Sequence, residues 1–186
     1  MRRSTIRTSA SACAAAFALL ATGCTVPDPY PATPSTAAAQ ALEQLESLPS
    51  FEDTKTQVQG ALDEITKAAS TLLPLIEWST PHPGSADNCE APFEQTDGKR
   101  YFLPDQVAVA VSLSEADWTT ILAAAKASAA KIGATDEHSM QDQPGKHDIG
   151  FYGPTGIFIK IAYKGNLVVS GYTGCRLPQD KKKPQS

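Results

Sequence analysis

The stretch H-D-I-G-F-Y-G-P-T-G-I-F-I-K-I-A-Y-K-G-N-L-V-V-S-G-Y, residues 147–172, decides the fold. Ile157, Ile159, Ile161 and Tyr163 alternate strictly with Phe158, Lys160 and Ala162. That is the period of a strand with one buried face. G-P-T-G before it and K-G-N after it are turn signals. Residues 147–152 thus run in, 157–163 run back and 167–172 return, an antiparallel meander.

Upstream of the meander, residues 134–140 read as a weak strand. Before them, L-S-E-A-D-W carries a strong helix start. Ser114 suits the N-cap, Glu115 and Asp117 favour the positive helix end, and Leu113 can pack on Trp118 as a hydrophobic staple. The stripe Trp118, Ile121, Leu122, Ala125, Ala129, Ile132 follows, and Gly133 stops the helix. Val107, Val109 and Val111 alternate with Ala108, Ala110 and Ser112 as a further strand. A second amphipathic helix starts after Ser50. Its stripe is Val58, Ala61, Leu62, Ile65, Ala68, Ala69, Leu72 and Leu73, and it ends before Pro74. Residues 35–48 read as a short Ala-rich helix with Leu42 and Leu45 on one side, belonging either to the domain or to a tether. The expected architecture is α+β: an antiparallel sheet of four to five strands with two amphipathic helices on one face.

The chain begins with a positive segment, Arg2, Arg3 and Arg7, and an apolar one, residues 14–21. The apolar run is too short to cross a bilayer core of about 30 Å and suits a signal peptide. L-L-A-T-G-C, residues 19–24, resembles the lipobox of bacterial lipoproteins, with Ala21 where that motif prefers leucine. It implies cleavage after residue 23 and diacylation of the Cys24 thiol, an anchor stronger than one acyl chain. Residues 24–50 read as a lipid-anchored tether rich in Pro, Thr, Ser and Ala, poor in the apolar surface that ordering requires. Residues 51–178 make one domain, and 179–186 a basic disordered tail with Lys181, Lys182 and Lys183.

The 186-residue chain has a formal charge of −4, and removing residues 1–23 takes three arginines and no acid, moving it to −7. An acidic exported domain is a poor partner for nucleic acid. Of four cysteines, Cys13 leaves with the signal and Cys24 takes the lipid. Cys89 and Cys175 remain as an even pair in an oxidising compartment, and a disulfide between them is the expectation.

His138, Asp142, His147 and Asp148 lie close in sequence, with Asp136 and Glu137 nearby. Such residues can bind a divalent ion, but the spacing fits no standard metal motif, and Q-D-Q-P-G-K reads as a polar hairpin loop. His82, between prolines, reads as a rigid exposed loop. The chain holds no G-x-S-x-G, Walker-type or G-x-G-x-x-G segment. Tyr152, Phe158, Tyr163 and Tyr172 either line a ligand surface or brace the sheet. Trp78 belongs either to the core or to a groove rim.

The lipobox at Cys24, W-S-T-P-H-P-G…N-C from Trp78 to Cys89, L-S-E-A-D-W, K-I-G-A-T and S-G-Y-T-G-C-R-L-P occur in that order. Together they resemble the LppA/LppV-type lipoproteins of mycobacteria, over about residues 73–178. The resemblance implies a membrane-anchored exported protein with no catalytic residues to carry over. The expected function is a non-enzymatic ligand- or protein-binding module on the outer face of the cell membrane. Its expected partners are the membrane, through the lipid, and an envelope protein or small ligand. No catalytic or metal residue and no cofactor is expected. The competing reading is a hydrolase or metal-dependent enzyme using the His138–Asp148 region.

Overall fold

The alternation at residues 157–163 forms the centre of a sheet that is larger than expected. A computed structural model describes residues 32–183. The signal segment, Cys24, the tether up to residue 31 and residues 184–186 lie outside the described residues. The elements are α1 (Ser35–Ser47), α2 (Phe51–Leu72), β1 (Ser85–Asn88), β2 (Lys99–Phe102), β3 (Gln106–Ala108), α3 (Glu115–Lys131), β4 (Asp136–Gln143), β5 (Lys146–Tyr152), β6 (Phe158–Tyr163) and β7 (Leu167–Tyr172). The class is α+β, as expected. Among the described residues, the sheet has seven antiparallel strands rather than four or five, in the order β1-β2-β7-β6-β5-β4, with β3 also paired to β7. β2 meets the Tyr172 end of β7 and β3 its Leu167 end.

Three corrections concern the strands. β1 and β2 add to the expected strands without a sequence signal, because S-A-D-N and K-R-Y-F are too short to show a period. The valine strand stops at Ala108, since Ala110 turns into the left-handed region with φ 53°. The supposed hairpin loop is mostly strand: Asp142 pairs with His147 and Gln143 with Lys146, leaving Pro144 and Gly145 as the turn. β4 is an outer strand, all eight of its residues are exposed, and its register shifts between Ser139 and Gln141.

Two helices pack on one face, as the stripes require. α2 lies against β7, α3 against β6, and the two touch each other. Val58, Leu62, Ile65, Ile121, Ile159, Ile161, Leu167 and Val169 are fully buried between helices and sheet. Each such side chain contributes about 1.5–3 kcal/mol relative to exposure. The Oγ of Ser50 accepts from the Asp53 amide at 3.0 Å and that of Ser114 from the Asp117 amide at 3.1 Å, capping both helices.

α1 forms a third helix inside the stretch read as tether. Its buried residues are Ala41 and Leu45; Leu42, expected inward, is 38% exposed. Leu45 packs with Leu177, Cys89 and Cys175 in a second small core. The start of the tail is held there too. The Nζ of Lys182 donates to the Glu46 and Leu48 carbonyls, and Lys183 pairs with Glu46 at 2.9 Å. Among the described residues, no helix is long and apolar enough to cross a membrane.

Candidate functional site

Strand alternation separates the two histidines. His147 shares a face of β5 with buried Ile149 and Phe151, towards the helices, whereas His138 stands opposite Gly150 and so points to the other face. They cannot meet over one substrate or one ion. His147 is buried, its ring stacked on Trp118 at 4.4 Å between centroids. Its Nδ1 lies 2.6 Å from the Asp142 carboxylate and its Nε2 3.2 Å from that of Glu115. With a carboxylate on each nitrogen, neither is free to serve a substrate, and the group ties the β4–β5 hairpin to the start of α3. Asp148 lies on the opposite face and pairs with Lys160 at 2.9 Å. Glu137 pairs with Lys126, and His82 is exposed. Among the described residues, no group of three or more His, Cys, Asp and Glu is placed to hold a metal ion.

Cys89 and Cys175 are joined, with Cα atoms 5.6 Å apart. Gly98 fits against the bond: a Cβ there would stand 2.5 Å from the Cys175 sulfur. Arg176, next in the chain, is buried with only neutral partners. Its Nε donates to Thr54 at 3.2 Å, and its Nη1 donates to the Cys175 carbonyl at 2.7 Å and to the Thr155 hydroxyl. Burial pulls its guanidinium down to about 10, still charged at neutral pH. It holds the turn at Thr155, which takes φ 58°.

Two surfaces remain that fold stability does not explain. The first is an apolar groove of about 460 Å³ at the C-terminal end of α2. One wall is Leu72–Glu77 and the other Val109–Ser112. Leu75 on its rim is 96% exposed and Val109 68% exposed. The sequence reading placed Val109 in a strand; the left-handed Ala110 turns it outward, an amide held at 3.0 Å by the Asn166 side chain. Trp78 beside the groove belongs to the core edge, its indole N–H donating to Ser70 at 3.0 Å.

The second surface is the helix-free face of the sheet. Tyr152, Phe158 and Tyr172 lie there, joined by Phe102, which sequence reasoning missed with the rest of β2. Tyr163 instead faces the core and donates its hydroxyl to the Val111 carbonyl at 3.0 Å. Burial pushes the Tyr172 phenol above its ordinary range, and the neighbouring Tyr152 adds to this while Arg100 opposes it. A hydrogen bond from Arg100 draws the Asp87 carboxyl down. A strand signal for K-R-Y-F was available only from its cross-strand partner, at Tyr172.

A family model described as LppA, a lipoprotein confined to pathogenic Mycobacterium, matches residues 26–179. The crystal structure of LppA from Mycobacterium tuberculosis superposes with a TM-score of 0.61 at 16% identity, over 78% of this chain and 89% of that one. A DUF4853 family protein from Actinomyces odontolyticus superposes at 0.51 and 15% identity, over 74% of this chain and 73% of that one. Identities this low speak for the fold alone. No curated protein matches the chain.

Proposed function

We propose, from the premise that this chain belongs to the LppA lipoprotein family, a non-enzymatic protein-binding module held on the outer face of the cell membrane by lipid on Cys24. The observation that carries the binding role is the groove with Leu75 standing 96% exposed on its rim. Large apolar side chains left in water around a concave surface mark interaction sites. The open rim favours a protein over a small molecule. Ligand pockets bury most of the ligand, whereas Leu75 projects like a knob that a partner's own pocket would enclose. Glu77 on the same wall favours a partner with a basic residue flanking its apolar contact.

The position within the domain supports this reading. The described chain starts at the other end, where the Thr33 amide donates to Glu94 at 2.9 Å and Phe51 binds Leu177. The 22 residues of α2 separate that end from the groove by about 33 Å.

A photo-crosslinking residue at position 75 in the native envelope tests the proposal. The expected result is one protein adduct that disappears when Val109→Asp is added. Adducts to lipid alone, or an adduct indifferent to Val109→Asp, would refute it. Both positions are so exposed that their substitution should change stability by less than about 0.5 kcal/mol.

A further inference from the structure

Among the described residues, five large apolar side chains are exposed, and three of them, Leu72, Leu75 and Val109, belong to the groove at the end of α2. Leu42 and Met140 stand apart on α1 and β4. The patch holds both halves of a joint. Leu75 is a knob, and the space of about 460 Å³ beside it, between Leu72–Glu77 and Val109–Ser112, is a hole. The Val109 wall is held in a strained shape, because Ala110 takes φ 53°, a region that residues with a Cβ rarely adopt. Two bonds from the turn between β6 and β7 fix it there. The Asn166 side chain accepts from the Ala110 amide at 3.0 Å, and the Gly165 carbonyl accepts from the Val111 amide at 2.9 Å.

Those bonds also set Lys164, the residue before Gly165, behind the Val109 wall. The opposite wall ends at Glu77. Both residues are exposed, and among the described residues neither forms an ion pair. The two walls are thus flanked by unmatched charges of opposite sign.

We infer that the partner of this groove is a second copy of the same chain, joined around a two-fold axis, an assignment that rests on the protein-binding reading above. In a two-fold contact one patch meets itself, so the patch must be complementary to itself. When Leu75 of one copy enters the groove of the other, it lies against Val109 there. Glu77, two residues after Leu75, then lies beside Lys164 of that other copy. Symmetry repeats each contact, so two knobs fill two grooves and two Glu77–Lys164 pairs close the rim. An unrelated partner would have to supply a knob, a pocket and a basic residue, whereas a second copy brings all three. Chains held on one membrane meet at a raised effective concentration, so a small contact suffices.

The test keeps the full lipidated chain in its native envelope, with the photo-crosslinking residue at position 75. The adduct should have twice the mass of the chain, and its crosslinked peptide should contain Val109. Glu77→Lys should lower the adduct yield about tenfold, because like charges then meet at both rims, and Lys164→Glu should do the same. Both side chains are exposed, so neither reversal disturbs the core. The two reversals together should restore the yield, since each pair is rebuilt with its signs exchanged. An adduct to a different protein would overturn the inference and leave the protein-binding reading standing. Adducts to lipid alone, or none, would overturn both. A chain-to-chain adduct that maps away from Val109, or that the double reversal fails to restore, would overturn the two-fold contact alone.

Discussion

Replacing Cys89 and Cys175 together by alanine probes the bond that joins the β1–β2 arm to the end of β7. The two cysteines are 86 residues apart. On the chain-entropy account, releasing a loop of that size frees the unfolded state by about 4.6 kcal/mol, an upper figure because measured gains cluster near 2–4 kcal/mol. For a domain of this size, each kcal/mol moves the melting midpoint by about 2–4 °C. The double variant should therefore melt roughly 4–16 °C below the parent. Differential scanning calorimetry on the soluble domain measures it. Reductant should lower the parent to the same level and leave the variant unmoved. A drop under about 3 °C would refute the reasoning, because it would mean that the bond spans parts already restrained in the unfolded chain.

Other outcomes follow from particular positions. Leu45→Ala should cost about 2.7–5 kcal/mol by chemical denaturation, since Leu45 is fully buried; a tether residue would cost nothing. Gly98→Ala should destabilise the fold by at least about 1 kcal/mol and loosen the second core, because its Cβ would press on both disulfide sulfurs. Hydrogen bonds from Thr33, side chain first and then amide, pull the Glu94 carboxyl from 4.5 down to about 2. The folded value is depressed, so this contact is fully present above pH 4.5 and is lost as pH falls to about 2; the protection of the Thr33 amide, as exchange relative to the free peptide, should fall across that window.

The meander and both amphipathic helices were legible because each repeats a period over many residues. Ile157 to Tyr163 alternates four times, and α2 keeps its stripe from Val58 to Ala69. Where the pattern ran short, tertiary context decided. β2 holds only four residues, and Tyr101 and Phe102 take their faces from β7, which is 70 residues further along the chain. The regular valines at 107, 109 and 111 promised a strand that one left-handed alanine ended, and that same turn made the groove. The two histidines looked like neighbours in sequence, but a period of two and the bulge after Ser139 put them on opposite faces. The aromatic row was visible only in part, because Phe102 joins it from a strand without a signal of its own. The α1 helix showed its alanines plainly, but most of its docking surface, Cys175 and Leu177, lies more than a hundred residues away.

The clasp between the two ends of the domain governs how it carries a mechanical load. α1 and the segment at Lys182 and Lys183 leave from one end of the molecule, held together at Glu46 and Leu48. A pull between them peels these few contacts apart one at a time and does not shear the rungs of the sheet. The first structural casualty is α1, and the extension stops where the chain reaches Cys89, because the covalent bond there hands the tension directly to Cys175. Between Cys89 and Cys175 the bond bypasses the chain, so β2 to β7 and their aromatics are shielded, whereas α2 and the groove wall Leu72–Glu77 lie on the loaded side. The domain behaves as a rigid head on an extensible mount whose travel is limited by a bolt.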